Sequence, residues 1–193
     1  MNEIKLIEKL RLVDKSWWSL NDLGKVLLIK PSSLYTVASR LVKKGVLIRI
    51  GQGIYGVFGK TVVPEEIASS LYYPSYLSLK TVLVKAGVIN QVAQEIQLMT
   101  TKRTKQIKIG ETRLKYHQIK KELFFGYRVE KGMAMAYPEK ALLDLFYLSS
   151  LGKAFVSFEE LDMSGLDQKK LKTYSKKFSK RVQMLVKKVI GKS

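Results

Sequence analysis

The stretch from Lys30 to Phe58, KPSSLYTVASRLVKKGVLIRIGQGIYGVF, constrains this chain more than any other. An apolar series at helical spacing stops at a glycine and passes directly into two β-rich runs. Pro31 has a fixed φ and no N–H to lose, so it suits a first helical turn, and Ser32 or Ser33 can cap the N–H groups there. Leu34, Val37, Leu41 and Val42, with Ala38 beside them, form one apolar face. The opposite face carries Ser33, Tyr35, Thr36, Ser39, Arg40, Lys43 and Lys44. Gly45 can take the left-handed conformation that ends a helix, and Lys43 and Lys44 complement the negative helix end. The runs Val46–Ile50 and Ile54–Phe58 flank Gly51-Gln52-Gly53, whose glycines supply the positive φ values of a short hairpin loop.

The preceding segment completes a unit. Ile4, Ile7, Leu10 and Val13 predict a first helix over Asn2–Val13, and Ser16-Trp17-Trp18 reads as a short extended link. Ser19 is placed to cap a second helix with Asp22 at its third position, and Leu20, Leu23, Val26 and Leu27 face the core. Trp17 and Trp18 are expected to pack in that core rather than stack on bases. Helix, helix, then helix–glycine–hairpin is the order of a winged helix-turn-helix. On that reading Arg40 and Tyr35 read or frame bases, and Ser33, Thr36 and Ser39 contact base edges or phosphate. Lys43, Lys44, Arg49 and Gln52 position the DNA backbone. The plainer alternative is a surface helix and hairpin with a solvated face; the order of the elements is more specific than any one residue.

Charge points to the same kind of partner. Lys and Arg number 35 against 16 Asp and Glu, a formal net charge of +19 that favours polyanions. Hydrophobic content of 46% is enough for a real core and unlike a disordered basic tail. No apolar run is long enough to span a membrane, the first residues lack a signal-peptide pattern, and cysteine is absent. A cytoplasmic, nucleoid-associated protein is expected.

A boundary falls near Gly59–Val63, giving a DNA-binding domain over residues 1–60 and a second domain over 61–193. Pro64-Glu65-Glu66 opens a helix with proline in its first turn and acids at its positive end. Pro74 stops it, and Ser75 is read as the start of another helix, SYLSLKTVLVKAG, ending at Gly87. Short alternating runs then predict strands at Glu95–Thr101, Lys105–Ile109, Arg113–Ile119, Leu123–Val129 and Met133–Ala136. Pro138 opens a helix through Leu148. This domain is expected to be α+β, with a mostly antiparallel sheet and C-terminal helices. Leu171, Tyr174, Phe178, Val182, Leu185 and Val189 mark one face of a final amphipathic helix whose other positions are lysine-rich. That helix is either docked with a solvated face or a second phosphate-contacting surface. Lys102, Arg103, Lys105 and Lys108 form a further basic run.

No catalytic constellation stands out. His117 is the lone histidine, no His and carboxylate pattern suits a metal, and no Walker loop or dinucleotide fingerprint occurs. Glu139 and Asp144 lie in an apolar helix, and structural ion pairing is the expected role of both, with Lys140 placed to meet Asp144. A binding protein with no cofactor and no metal, rather than an enzyme, is the expectation.

Three pieces together, Leu41…Gly45…Gly53-Ile54-Tyr55, Tyr76-Leu77-Ser78-Leu79 before Ala86-Gly87, and Tyr137-Pro138-Glu139-Lys140-Ala141-Leu142-Leu143-Asp144, resemble the AbiEi antitoxins. These are transcriptional regulators of type IV, abortive-infection toxin–antitoxin systems of phage defence. The resemblance covers roughly Ser19 to Leu148; the lysine-rich segment after Gly152 lies beyond it. It implies a repressor that binds inverted repeats in its own promoter. It also implies that a nucleotidyltransferase-like toxin is counteracted without a stable complex. The chain itself is expected to be a monomer or weak dimer in solution. It supplies no residue-level antitoxin motif. A stand-alone winged-helix regulator and an RNA-binding module remain as alternatives.

Overall fold

The computed structural model describes residues 8–10, 12, 13, 15–91, 94–130 and 132–191. The chain is mixed α+β and divides into two compact units. One comprises the residues up to Pro64 with Lys108–Glu111, and the other comprises Glu65–Ile107 with the residues from Thr112 onward. The expected first helix lies largely outside the described residues; residues 8–10 are helical, and Leu10 is fully buried.

In the first unit β1 (Trp17–Ser19) leads into α1 (Leu20–Leu27), and a single turn of 3-10 helix over Pro31–Ser33 leads into α2 (Leu34–Lys43). β2 (Leu47–Gly51) and β3 (Ile54–Val57) form an antiparallel hairpin, and β1 pairs on the free side of β3. The link read at Ser16–Trp18 is thus partly a strand, with Trp18 opposite Tyr55. Ser19 caps α1 as expected: its hydroxyl accepts from the Asp22 N–H, and the Asp22 carboxylate accepts from the Ser19 N–H. Leu23, Leu27, Ala38, Leu41, Val46, Leu47, Tyr55 and Val57 close over Trp18 and Leu10 as one core.

In the second unit the elements run α3 (Pro64–Leu71), β4 (Ser75–Leu77), α4 (Leu79–Lys85), β5 (Ile96–Thr100), β6 (Lys105–Ile109) and β7 (Thr112–Gln118). They continue with β8 (Tyr127–Glu130), β9 (Met133–Ala136), α5 (Pro138–Ser150), α6 (Gln168–Ser175) and α7 (Lys180–Ile190). The strand order is β6-β7-β5-β4-β9-β8. β4 pairs antiparallel with β5 and β8 antiparallel with β9, while β4 runs parallel to β9 and β5 parallel to β7. Helix α5 is buried on all sides, including Glu139, Lys140 and Asp144.

Three expectations need correction. Ser75–Leu77 is a strand in the middle of the sheet, and the helix begins only at Leu79. Tyr76 and Leu77 are fully buried between two strand neighbours, a placement that outweighs the apolar spacing read there as helical. Leu123 belongs to a 3-10 turn, so the strand starts at Tyr127. The final amphipathic helix is two helices, because Ser179 takes an extended conformation and restarts the chain as the α7 N-cap. The Gln183 side-chain amide donates to the Phe178 carbonyl across that break.

Candidate nucleic-acid interface

The end of α2 and the start of the hairpin are one continuous piece of backbone chemistry. The Gly45 N–H bonds the Val42 carbonyl and the Val46 N–H bonds the Leu41 carbonyl, at 3.0 and 2.9 Å. This pair of bonds satisfies carbonyls that a helix end otherwise leaves open, and it requires the positive φ of 68° found at Gly45. The chain therefore turns from α2 into β2 with no free linker. At the hairpin tip Gly53 alone has a positive φ, 69°, and the register shifts between Arg49 and Gly51. The start of α2 differs from expectation. Pro31 opens the 3-10 turn rather than α2 itself, and Ser33, at the N-cap, makes no side-chain capping bond.

All nine residues expected to meet nucleic acid are exposed: Ser33, Tyr35, Thr36, Ser39, Arg40, Lys43 and Lys44 along α2, and Arg49 and Gln52 on the hairpin. Leu34, Ala38 and Leu41 bury the other face of α2. Tyr35 is 54% exposed. Arg40, Lys43 and Arg49 make no ion pair among the described residues. Lys30 and Ser32 are also exposed, at the leading end of α2. They are not singled out by periodicity because they precede the helix.

Several neighbours are scaffolding. Lys15 pairs with Asp22 at 2.7 Å, and its ammonium lies 4.6 and 5.2 Å from the Trp17 and Trp18 rings. Burial pushes the Asp22 carboxyl up, but the bonds from Lys15 and Ser19 outweigh it and hold the group below its ordinary value. Lys60 reaches back to donate to the Val13 carbonyl at 2.9 Å.

In the second unit, the two sequence pieces around Tyr76 and Lys140 meet in a buried polar network. The Lys140 ammonium pairs with Asp144 Oδ1 and donates to the Tyr76 hydroxyl at 2.8 Å. Tyr76 and Ser78 donate to Asp144 Oδ2 at 3.0 and 2.8 Å. Lys140 and Asp144 are both completely shielded from solvent. Burial pushes Lys140 below its ordinary value and Asp144 above its own, each against the pull of the other. Burial, and then the charge of Asp144, raises the Tyr76 phenol. The rings of Tyr76, Phe125 and Phe178 lie 5.2–5.3 Å from the ammonium and wall it in. Glu139 pairs with Lys170 at 3.2 Å. His117 is buried, and burial with the charges of Lys115 and Lys153 pushes it down to about 4, so it is neutral at pH 7. Of the C-terminal cations, Lys170 lies 3.4 Å from the Tyr137 ring centre and Lys177 4.2 Å from that of Phe125. Lys169, Lys172, Lys176, Lys180, Arg181 and Lys187 are exposed. Among the described residues no helix is long and apolar enough to cross a membrane. No protein-family model matches the chain, and no curated protein matches it in sequence.

Proposed function

We propose that the first unit is a winged helix-turn-helix that binds duplex DNA, with α2 as recognition helix and the β2–β3 hairpin as wing. One observation carries this reading. The solvent face of α2 presents hydroxyls, an aromatic ring, Arg40 and Lys43, and no acidic residue occurs between Asp22 and Glu65 to oppose a phosphate backbone. An α-helix fits the major groove, where Arg bonds guanine bidentately and hydroxyls bond several base edges. Arg40 is assigned to base reading, Lys43, Lys44, Arg49 and Gln52 to the backbone, and Ser33, Tyr35, Thr36 and Ser39 to the groove wall and floor.

The protein then acts as a repressor of its own operon, a DNA-binding regulator and not an enzyme, in the cytoplasm. The resemblance to AbiEi antitoxins adds the counteraction of a nucleotidyltransferase-like toxin encoded beside it. Its two second-domain motifs supply Tyr76, Ser78, Lys140 and Asp144, which form one buried network. That is how a motif behaves when it specifies a domain rather than a surface.

The test is a footprint on the DNA upstream of the gene at about 150 mM salt with excess competitor, since salt suppresses sequence-blind binding. A discrete pair of protected repeats is expected. Arg40→Ala should cost about 1–3 kcal/mol on that operator and little on random duplex. An equal loss on both would reduce Arg40 to a phosphate contact. Uniform weak binding by the wild type would overturn the reading. For the antitoxin role, co-expression with the neighbouring toxin should restore growth, and failure to do so leaves a regulator alone.

A further inference from the structure

The second unit carries an aromatic and basic corner that duplex binding by α2 leaves unused. Tyr72 and Tyr73 end the turn after α3, and Lys102, Arg103 and Lys105 lie in and just after the β5–β6 loop. The Lys102 and Lys105 ammoniums lie 5.3 and 5.1 Å from the centre of the Tyr72 ring. Tyr73 beside it is 75% exposed, a large ring left in water. No acidic side chain occurs between Glu95 and Glu111, and the three cations make no ion pair among the described residues.

The corner is held in place. Tyr72 packs edge-on against buried Tyr116 with ring centres 5.2 Å apart, and the Tyr116 hydroxyl donates to the Ala68 carbonyl at 2.7 Å. Thr100 is fully buried; its hydroxyl donates to the Pro74 carbonyl at 2.7 Å and accepts from the Lys102 N–H at 3.2 Å. At the other end of the loop the Gln118 N–H donates to the Thr104 hydroxyl at 3.2 Å. Both segments are thus tied to the sheet before any ligand arrives, which lowers the ordering cost of binding.

We infer that this corner binds single-stranded nucleic acid, with a base stacked on Tyr73 and the adjoining phosphates held by Lys102, Arg103 and Lys105. The choice of a single strand follows from the ring. Duplex bases are already stacked on one another, so an exposed tyrosine face has nothing to receive, whereas an unpaired base offers its whole face. Charge alone would attract either form, and a chain of net charge +19 attracts both.

That confounder sets the experiment. Tyr73→Ala leaves the net charge unchanged, so any loss it causes is not counterion release. The full chain is titrated at about 150 mM salt into labelled oligouridylate and oligothymidylate of about 12 nucleotides, and into a duplex of about 20 base pairs. The expected result is a loss of roughly 5- to 100-fold on the single strands for Tyr73→Ala, from the stacking worth of one base. Tyr73→Trp should retain wild-type affinity, and duplex binding should not change. A loss on both oligonucleotides assigns the site to backbone and base; a loss on oligouridylate alone assigns it to RNA. Wild-type affinity in Tyr73→Ala, or an equal loss on duplex, overturns the inference. Arg40→Ala serves as the independent control, since it tests the duplex site and leaves this corner intact.

Discussion

At the scale of single residues, backbone conformation and protonation give predictions that need no knowledge of a partner. Leu28 ends α1 with φ 54° and ψ 40°, a left-handed conformation that costs a side-chain-bearing residue roughly 1–2 kcal/mol. Its side chain is 87% exposed, so little packing offsets that cost. Leu28→Gly should therefore stabilise the protein by about 1 kcal/mol, less the added flexibility of the unfolded chain. A rise in the urea midpoint at constant m checks it, and Leu28→Ala, which keeps the Cβ, should give no such rise. His117 sets a pH dependence. Its folded value of about 4 lies below the ordinary 6.5, so between those values the unfolded chain binds more protons than the folded one. The stability it contributes is complete above about 6.5 and is lost as pH falls toward 4. Burial first, then Lys115 and Lys153, keeps the ring neutral, while Glu95 pulls the other way. His117→Phe should lose less stability than wild type between pH 7 and pH 5 in paired urea titrations.

At the scale of elements, the Lys140–Asp144 pair joins one turn of α5 to strand β4 through Tyr76 and to the start of α4 through Ser78. Removing one member strands a buried charge. Lys140→Met should cost about 3–5 kcal/mol, as should Asp144→Leu. The double variant should cost less than the sum, with a coupling of about 1–3 kcal/mol, in a double-mutant cycle followed by thermal unfolding. The i, i+4 spacing makes this pair legible in the sequence, but its burial and its link to Tyr76 are not, since β4 and α5 are far apart along the chain. The same distinction separates the elements that sequence anticipates from those it misreads. Helix α2 and the hairpin rest on local signals: a 3.6-residue apolar period, Gly45 in the left-handed region, and Gly53 in the turn. Strand β4 owes its conformation to β5 and β9, partners that no local window contains. The apolar period of the C-terminal segment runs through its break undisturbed, so only the Ser179 backbone reveals two helices. Among the proposed interface residues, those along α2 are visible as the polar complement of an apolar face, and Arg49 and Gln52 by their place at the hairpin. Tyr73, by contrast, shows itself only once its exposure is known, next in the chain to Tyr72, whose ring Lys102 and Lys105 approach.

At the scale of the whole molecule, a net charge of +19 guarantees affinity for any polyanion, so the informative quantity is how that affinity falls with salt. On duplex DNA the slope of log K against log salt is about −0.9 per phosphate neutralised. If α2 and its hairpin carry the interface, Lys43, Lys44 and Arg49 neutralise about three phosphates per protomer, and the slope should be about −3. Lys43→Ala should then weaken binding uniformly across sequences and make the slope shallower by about one. Lys172→Ala or Lys187→Ala, on the exposed faces of α6 and α7, should leave the duplex slope where it is. A wild-type slope near −8, made shallower by those lysine variants, would instead place the C-terminal helices against the same duplex and enlarge the footprint to both units. Because the slope counts phosphates rather than reading bases, it separates these two footprints on any duplex sequence.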